Sequence, residues 1–267
     1  MKTVSKNIRL EKSQSWSLFM QIRVLLPVLP SATLIDKAMA EYQAVAGSSV
    51  RISLACLRNG TSTIESDLDI ALAQPETIRL AREAEDDGID ACIVACFSDP
   101  GLDGAREAVS IPVIGEGQAG LHLASLVASR FSVITTWDQC IPRIARLVRR
   151  AGFGNKLASV RATGVGVMAL SNDCVGRMVD EAVKAVKGEG AEAIVLGCTG
   201  TGENLPAQIS AAVRSAVGVP VPIIDPVPAA FAFAQACVTT GLRHSKVAYP
   251  PTVSVRPEYR FAPGAQP

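Results

Sequence analysis

The chain has 267 residues, with 26 basic and 25 acidic side chains and a formal net charge of +1. That near balance removes the electrostatic case for a nucleic acid or an anionic membrane surface and leaves a small-molecule substrate as the expected partner. The length suits one large domain or two lobes, and the longest apolar runs, 24–30 and 229–234, fall well short of the roughly 20 residues needed to cross a bilayer.

Residues 1–20 combine Lys2, Lys6, Arg9 and Lys12 with several serines and one acid, Glu11, and read as an N-terminal extension. From Ile22 onward short apolar strands alternate with amphipathic helices. Strands are expected at 22–27, 50–56, 90–95, 111–114, 131–135, 160–168, 192–197 and 221–224. Helices are expected at 31–46, 75–87, 102–108, 117–129, 139–151, 172–188, 204–216 and 227–240. Such alternation predicts an α/β protein whose mostly parallel sheets are covered by helices on both faces.

Two stretches repeat the same sequence of events. Asp-Asp-Gly-Ile-Asp at 86–90 and Gly-Glu-Gly-Ala-Glu at 188–192 each end a helix with glycine and enter an apolar strand that finishes on a cysteine. An internal duplication into two similar lobes explains this, with the active site between them. The expected division is a first lobe of residues 21–129 and 221–243, a second lobe of 130–220, and an extended proline-bearing tail at 244–267.

The seven cysteines are an odd number set mostly in apolar runs, which fits a reducing cytoplasm better than a secreted disulfide framework. Cys56, Cys92, Cys140, Cys174 and Cys237 read as small core residues. Cys96, in Ala-Cys-Phe-Ser-Asp-Pro-Gly, and Cys198, in Leu-Gly-Cys-Thr-Gly, differ from them. Each stands at a strand end, before a turn of small polar residues and a helix, where ligands of open parallel sheets collect. Helix amino termini there are expected to favour thiolate over thiol, and backbone donors near Ser98, Asp99, Thr199 and Gly200 to hold an anionic oxygen. Two thiols facing one another across a cleft can remove a proton from one face of a carbon and return one to the other, the chemistry of a racemase, without metal or organic cofactor.

A competing signal lies at Gly115-Glu-Gly-Gln-Ala-Gly120, which satisfies the dinucleotide fingerprint G-x-G-x-x-G between a strand and a helix. It occurs in the fourth strand unit rather than the first, and Glu116 brings negative charge where a pyrophosphate would sit. The plainer reading is a tight turn with close packing; the rival is an NAD-binding oxidoreductase. His122 and His244 lack partners at metal or triad spacing, and Arg146, Arg149 and Arg150 read as a solvated helix end.

With these motifs the chain resembles the aspartate/glutamate racemase superfamily, in its hydantoin and allantoin racemase branch, over most of residues 21–250. Further matches are Phe-Ser-Val-Ile-Thr-Thr at 131–136, Ile-Asp-Pro-Val at 224–227 and Gly-Leu-Arg-His-Ser-Lys at 241–246. The resemblance implies Cys96 and Cys198 as the catalytic pair. It also implies a substrate cleft lined by Thr63, Ile64, Ser98, Thr135, Thr136, Thr199 and Gly200, no cofactor, and a homo-oligomer. The expected substrate is a 5-substituted hydantoin or an allantoin-like cyclic ureide; aspartate or glutamate racemisation, or a same-fold decarboxylase or cis-trans isomerase, are the alternatives. Two departures from the branch bear on the substrate: Leu-Pro-Val-Leu-Pro at 26–30 lacks the usual asparagines, and Gln118 replaces a common glutamate.

Overall fold

The computed structural model describes residues 19–166, 175–198 and 205–251. Eight strands form two four-stranded sheets, all of whose pairings are parallel. The first contains β1 (Met20–Leu26), β2 (Val50–Cys56), β3 (Ala91–Val94) and β4 (Val113–Gly115) in the order β2-β1-β3-β4. The second contains β5 (Phe131–Thr135), β6 (Leu157–Ala162), β7 (Ala193–Leu196) and β8 (Ile223–Ile224) in the order β6-β5-β7-β8. The orders are the same once four is added to each number, as a duplication requires.

The helices are α1 (Ala32–Val45), α2 (Asp67–Asp86), α3 (Leu102–Ala108), α4 (Glu116–Val127), α5 (Ile141–Arg150), α6 (Val175–Glu189), α7 (Leu205–Val217) and α8 (Pro226–Thr240). Both faces of each sheet are apolar, as buried parallel strands demand. Ile22, Val24 and Ile93 pack under α1 and α8, and Leu25, Cys92 and Val94 under α2 and α3. In the second sheet Ile134, Ile194 and Leu196 meet α6 and α7, whereas Phe131, Val133 and Val195 meet α4 and α5.

Two helices exchange sheets. Helix α4 leaves the first sheet yet packs on β7, α8 leaves the second yet packs on β3 and β4, and the two helices lie against one another. Asp225 starts the return by accepting a hydrogen bond from the Val227 backbone N–H at 3.0 Å, with Pro226 in the first turn, where no N–H is needed.

Several expected boundaries move. Met20 lies in β1 rather than in the extension. Residues Ile223 and Ile224 pair with β7, so the return to the first lobe comes at Asp225 rather than at 221. Helix α2 begins at Asp67, well before Pro75, because Ser66 and Asp69 form a capping box and buried Ala73, Thr77 and Leu80 anchor its inner face. That support offsets the cost of an internal proline, about 3 kcal/mol. Strand β6 lies earlier than 160–168; it is an edge strand, half-buried throughout, and carries no clear period.

The tail motif at 241–246 binds the first lobe. Lys246 Nζ donates to the carbonyls of Arg106 and Val109 at 2.7 and 2.6 Å, closing the end of α3. His244 Nε2 accepts from the Val113 N–H at 2.8 Å, and the Val113 C=O accepts from Arg106 Nε at 3.1 Å, so the exposed edge of β4 is covered. No helix among the described residues is long and apolar enough to cross a membrane.

Candidate active site

Strands β3 and β7 deliver their cysteines in the same way. The last ladder pairs are Leu25 with Val94 and Ile134 with Leu196. One residue further, the N–H of Ala95 donates to Leu25 C=O at 2.9 Å and that of Gly197 to Ile134 C=O at 2.7 Å. The next residue is Cys96 in one lobe and Cys198 in the other. Gly197 is required by close approach, since a Cβ there would lie 2.8 Å from Val133 Cγ1 and 2.9 Å from the Ile134 oxygen.

Both cysteines line one cavity of about 170 Å³. Its volume is of the order of the ~150 Å³ apolar cavity that admits a benzene ring. The first lobe supplies an apolar wall, Pro27, Val28, Leu29, Pro30 and Leu34, together with Thr63 and Ile64. Leu29 N–H donates to Thr61 C=O at 2.9 Å and Leu57 N–H to Val28 C=O at 3.1 Å, so this wall is tied down by its backbone. The second lobe supplies Thr135 and Thr136, both buried, and Arg143 from the first turn of α5. Of the nine residues expected in the site, Cys96, Cys198, Thr63, Ile64, Ser98, Thr135 and Thr136 therefore share the cavity. Thr199 and Gly200 lie outside the described residues, as does Cys174.

The electrostatics of Cys96 overturn an expectation. Burial pushes its thiol up to about 11, with Glu116 and Asp99 acting in the same direction; the Ser98 N–H, 3.4 Å from Sγ, and Arg143 oppose them. Helix α3 cannot provide the expected depression, because it has only seven residues and begins at Leu102 behind a left-handed Gly101. The Ser98 and Asp99 amides are not open to substrate either. The first faces Cys96 Sγ, and the second donates to Cys96 C=O at 3.0 Å.

The fingerprint at 115–120 has a protein carboxyl group where a pyrophosphate would bind. Asp99 Oδ1 accepts from Gly117 N–H at 2.9 Å and Oδ2 from Gln118 N–H at 2.7 Å, capping α4 from the neighbouring turn. A Cβ on Gly115 would lie 2.3 Å from Asp99 Oδ1, and one on Gly117 2.0 Å from the Phe97 oxygen. The glycines thus let the cysteine turn dock on α4. Asp99 itself has a left-handed backbone, φ 49°, a conformation that short polar side chains tolerate.

A family model for Asp/Glu/hydantoin racemases matches residues 30–234. The chain belongs to the Asp/Glu/hydantoin racemase family. A hydantoin racemase of Paenarthrobacter aurescens is 36% identical over 231 residues, 85% of this chain and 94% of that protein. Among solved structures, an allantoin racemase from Klebsiella pneumoniae is 32% identical with a TM-score of 0.80, covering 90% of this chain and 97% of that one. An allantoin racemase from Pseudomonas fluorescens is 30% identical with a TM-score of 0.79, covering 88% and 98% respectively. The protein is accordingly an isomerase of the racemase type.

Three residues of this racemase's cavity escape sequence reasoning. Glu116 is completely buried and accepts from Tyr42 Oη at 2.5 Å; burial and Glu116 keep the Tyr42 phenol well above its ordinary range, as a donor. Glu41 enters the same cavity from α1. Arg143 crosses from the second lobe to donate to Ser98 Oγ. A faint signal for Arg143 existed in its three-residue spacing from Arg146, which places both on one helix face. Arg146 pairs across the lobes with Asp67 at 2.5 Å on the surface. Among the described residues none of the other cysteines lines this cavity; Cys92 is fully buried and pushed up to about 12, and burial also raises Cys56 and Cys237. Gln118 faces away from the thiols, accepting from Arg106 at 2.9 Å.

Proposed function

We propose that this protein is a cofactor-independent, two-cysteine racemase of a five-membered cyclic ureide, a hydantoin with an apolar substituent on its stereocentre. The observation carrying this reading is that Cys96 and Cys198, at equivalent positions after β3 and β7, line the same ring-sized cavity. In one direction of this reaction Cys198 enters as the thiolate and Cys96, whose thiol burial pushes up to about 11, as the acid. An S–H bond forms as the C–H bond breaks, and the electron pair passes to the neighbouring carbonyl oxygen as an enolate. Cys96 then returns a proton to the opposite face and becomes the thiolate, which leaves the site ready for the mirror-image substrate.

Charge and shape favour a neutral ring over the alternatives. A cavity that holds Glu41 and Glu116 against Arg143 disfavours the two carboxylates of free aspartate or glutamate. The apolar wall at 27–30 suits an alkyl or aryl substituent better than the polar ureido arm of allantoin, whose donors and acceptors would be stranded there. An NAD-dependent reaction is disfavoured by Asp99, which occupies the amides a pyrophosphate would need.

The test is deuterium uptake in heavy water by single enantiomers of 5-alkyl and 5-aryl hydantoins, allantoin, aspartate and glutamate. Exchange with inversion is expected for the apolar hydantoins. Full racemisation by Cys96→Ser or Cys198→Ser would remove the two-thiol reading, whereas washout of label from one enantiomer by a single variant would support it.

A further inference from the structure

The cavity's charges are unevenly distributed. Arg143 is the only cationic side chain among the described residues lining it, while Glu41 and Glu116 are both acidic. The guanidinium is held against Ser98, which lies two residues beyond Cys96. That contact joins the lobes directly, α5 of the second to the cysteine turn of the first. Ser98 and Arg143 also border the outer groove between α2, α3 and α5, so their contact forms part of the partition between that groove and the inner cavity.

The hydrogen-bonding roles are set by chemistry. A guanidinium donates only, so Ser98 Oγ accepts from it and keeps its own hydrogen to donate. A hydroxyl polarised by a cation is a stronger donor than a free one. Ser98 lines the cavity together with Cys96, and its backbone N–H already faces Cys96 Sγ at 3.4 Å, so the hydroxyl is placed to serve negative charge on that side.

We propose that Arg143 is a positioning residue which, through the Ser98 hydroxyl, stabilises negative charge on the Cys96 side of the cavity during proton transfer. This inference rests on the two-thiol reading for its role in turnover, although its effect on Cys96 exists without substrate. The titratable and charged groups around Cys96 are Glu41 from α1, Asp99 in its own turn, Glu116 from α4, Arg143 from α5 and Cys198 after β7. Arg143 offsets the acidic members of that set.

Two measurements test the proposal. In the first, iodoacetamide alkylation of the free protein is resolved by peptide mass spectrometry, so that Cys96 is followed separately from the other thiols. Arg143→Met and Arg143→Gln should each slow Cys96 alkylation at pH 8 by about threefold or more and move its pH profile upward, because thiolate abundance sets the rate. Arg143→Gln retains a hydrogen-bonding group without charge; wild-type alkylation in this variant or in Arg143→Met would overturn the proposal. The second measurement is racemisation kinetics on the hydantoin that wild type turns over. Arg143→Met and Ser98→Ala should each lower kcat at least about tenfold with KM changed less than about threefold. The double variant should stay within about threefold of the slower single one. Losses that multiply would overturn the relay. Should wild type turn over no ureide, the substrate reading fails while the alkylation result still decides the role of Arg143.

Discussion

The two lobes present the same topology to the cavity with different chemistry. After the first strand of each sheet the chain enters the site, at 27–30 in one lobe with prolines and aliphatic groups, and at Thr135 and Thr136 in the other with hydroxyls. After the third strand of each sheet both lobes present a cysteine. Under the proposed function the shared part would supply the symmetric proton transfer that stereochemical inversion needs, and the divergent part would distinguish the two ends of the substrate. In the proposed reaction the apolar substituent would meet the first lobe, and the polar atoms of the ring the hydroxyls and guanidinium of the second.

The largest effect that would break this comparison is loss of either shared thiol. Cys96→Ser or Cys198→Ser should abolish interconversion, by about a thousandfold or more, since acid–base groups contribute roughly 10² to 10⁴ each; chiral chromatography of the product checks it. Next comes the docking of the first cysteine turn on α4. Gly117→Ala places a methyl 2.0 Å from the Phe97 oxygen and should destabilise by at least about 1–3 kcal/mol, read as a lower urea midpoint along with lost activity. Gly120→Ala is the control within the same motif. Its Cβ would make only ordinary contacts, the nearest at 3.5 Å, so stability should hold or rise by up to about 1 kcal/mol.

Leu29→Asn sharpens the divergent half. A polar group in the apolar wall should shift the ratio of kcat/KM for a 5-alkyl hydantoin over allantoin by about tenfold toward allantoin. The smallest effect concerns the tail clasp of the first lobe, which has no described counterpart on the second. Burial, with Arg106 nearby, depresses His244 to about 4, below the roughly 6.5 of an unfolded histidine. The unfolded chain therefore binds the extra proton first, and this contribution is full above pH 6.5 and lost as pH falls toward 4. Asp99, raised by burial to about 7, acts in the opposite sense, its contribution present below about pH 4 and lost as pH rises through 7. Denaturant titrations of wild type and His244→Gln separate the two, the variant losing the acid-side decline assigned to the histidine.

Much of the fold was legible because its signals are local. Fully apolar runs such as Ala91–Val94 and Ala193–Leu196, buried along their whole length, can only be interior strands once helices flank them. Half-buried β6 and the capped start of α2 depart from their expected bounds because an edge strand loses its period and an internal proline imitates a helix start. In the site, the cysteines and threonines were legible from their strand ends. Glu116 was not, since a glutamate in a glycine-rich turn reads as a solvated charge until Tyr42, 74 positions away, is brought onto it.

The order of residues alone determined the alternation of strand and helix, the duplication, and the placement of a thiol at the end of one strand in each half, because each depends on neighbours within a few positions. Tertiary structure alone decided that the thiols share a cavity, that Asp99 rather than a phosphate caps α4, that burial raises the Cys96 thiol, and that Arg143 reaches Ser98 from the other lobe. Those depend on desolvation and on contacts between segments far apart in the chain, whose energies arise only when the two sheets and the helices exchanged between them close around one space.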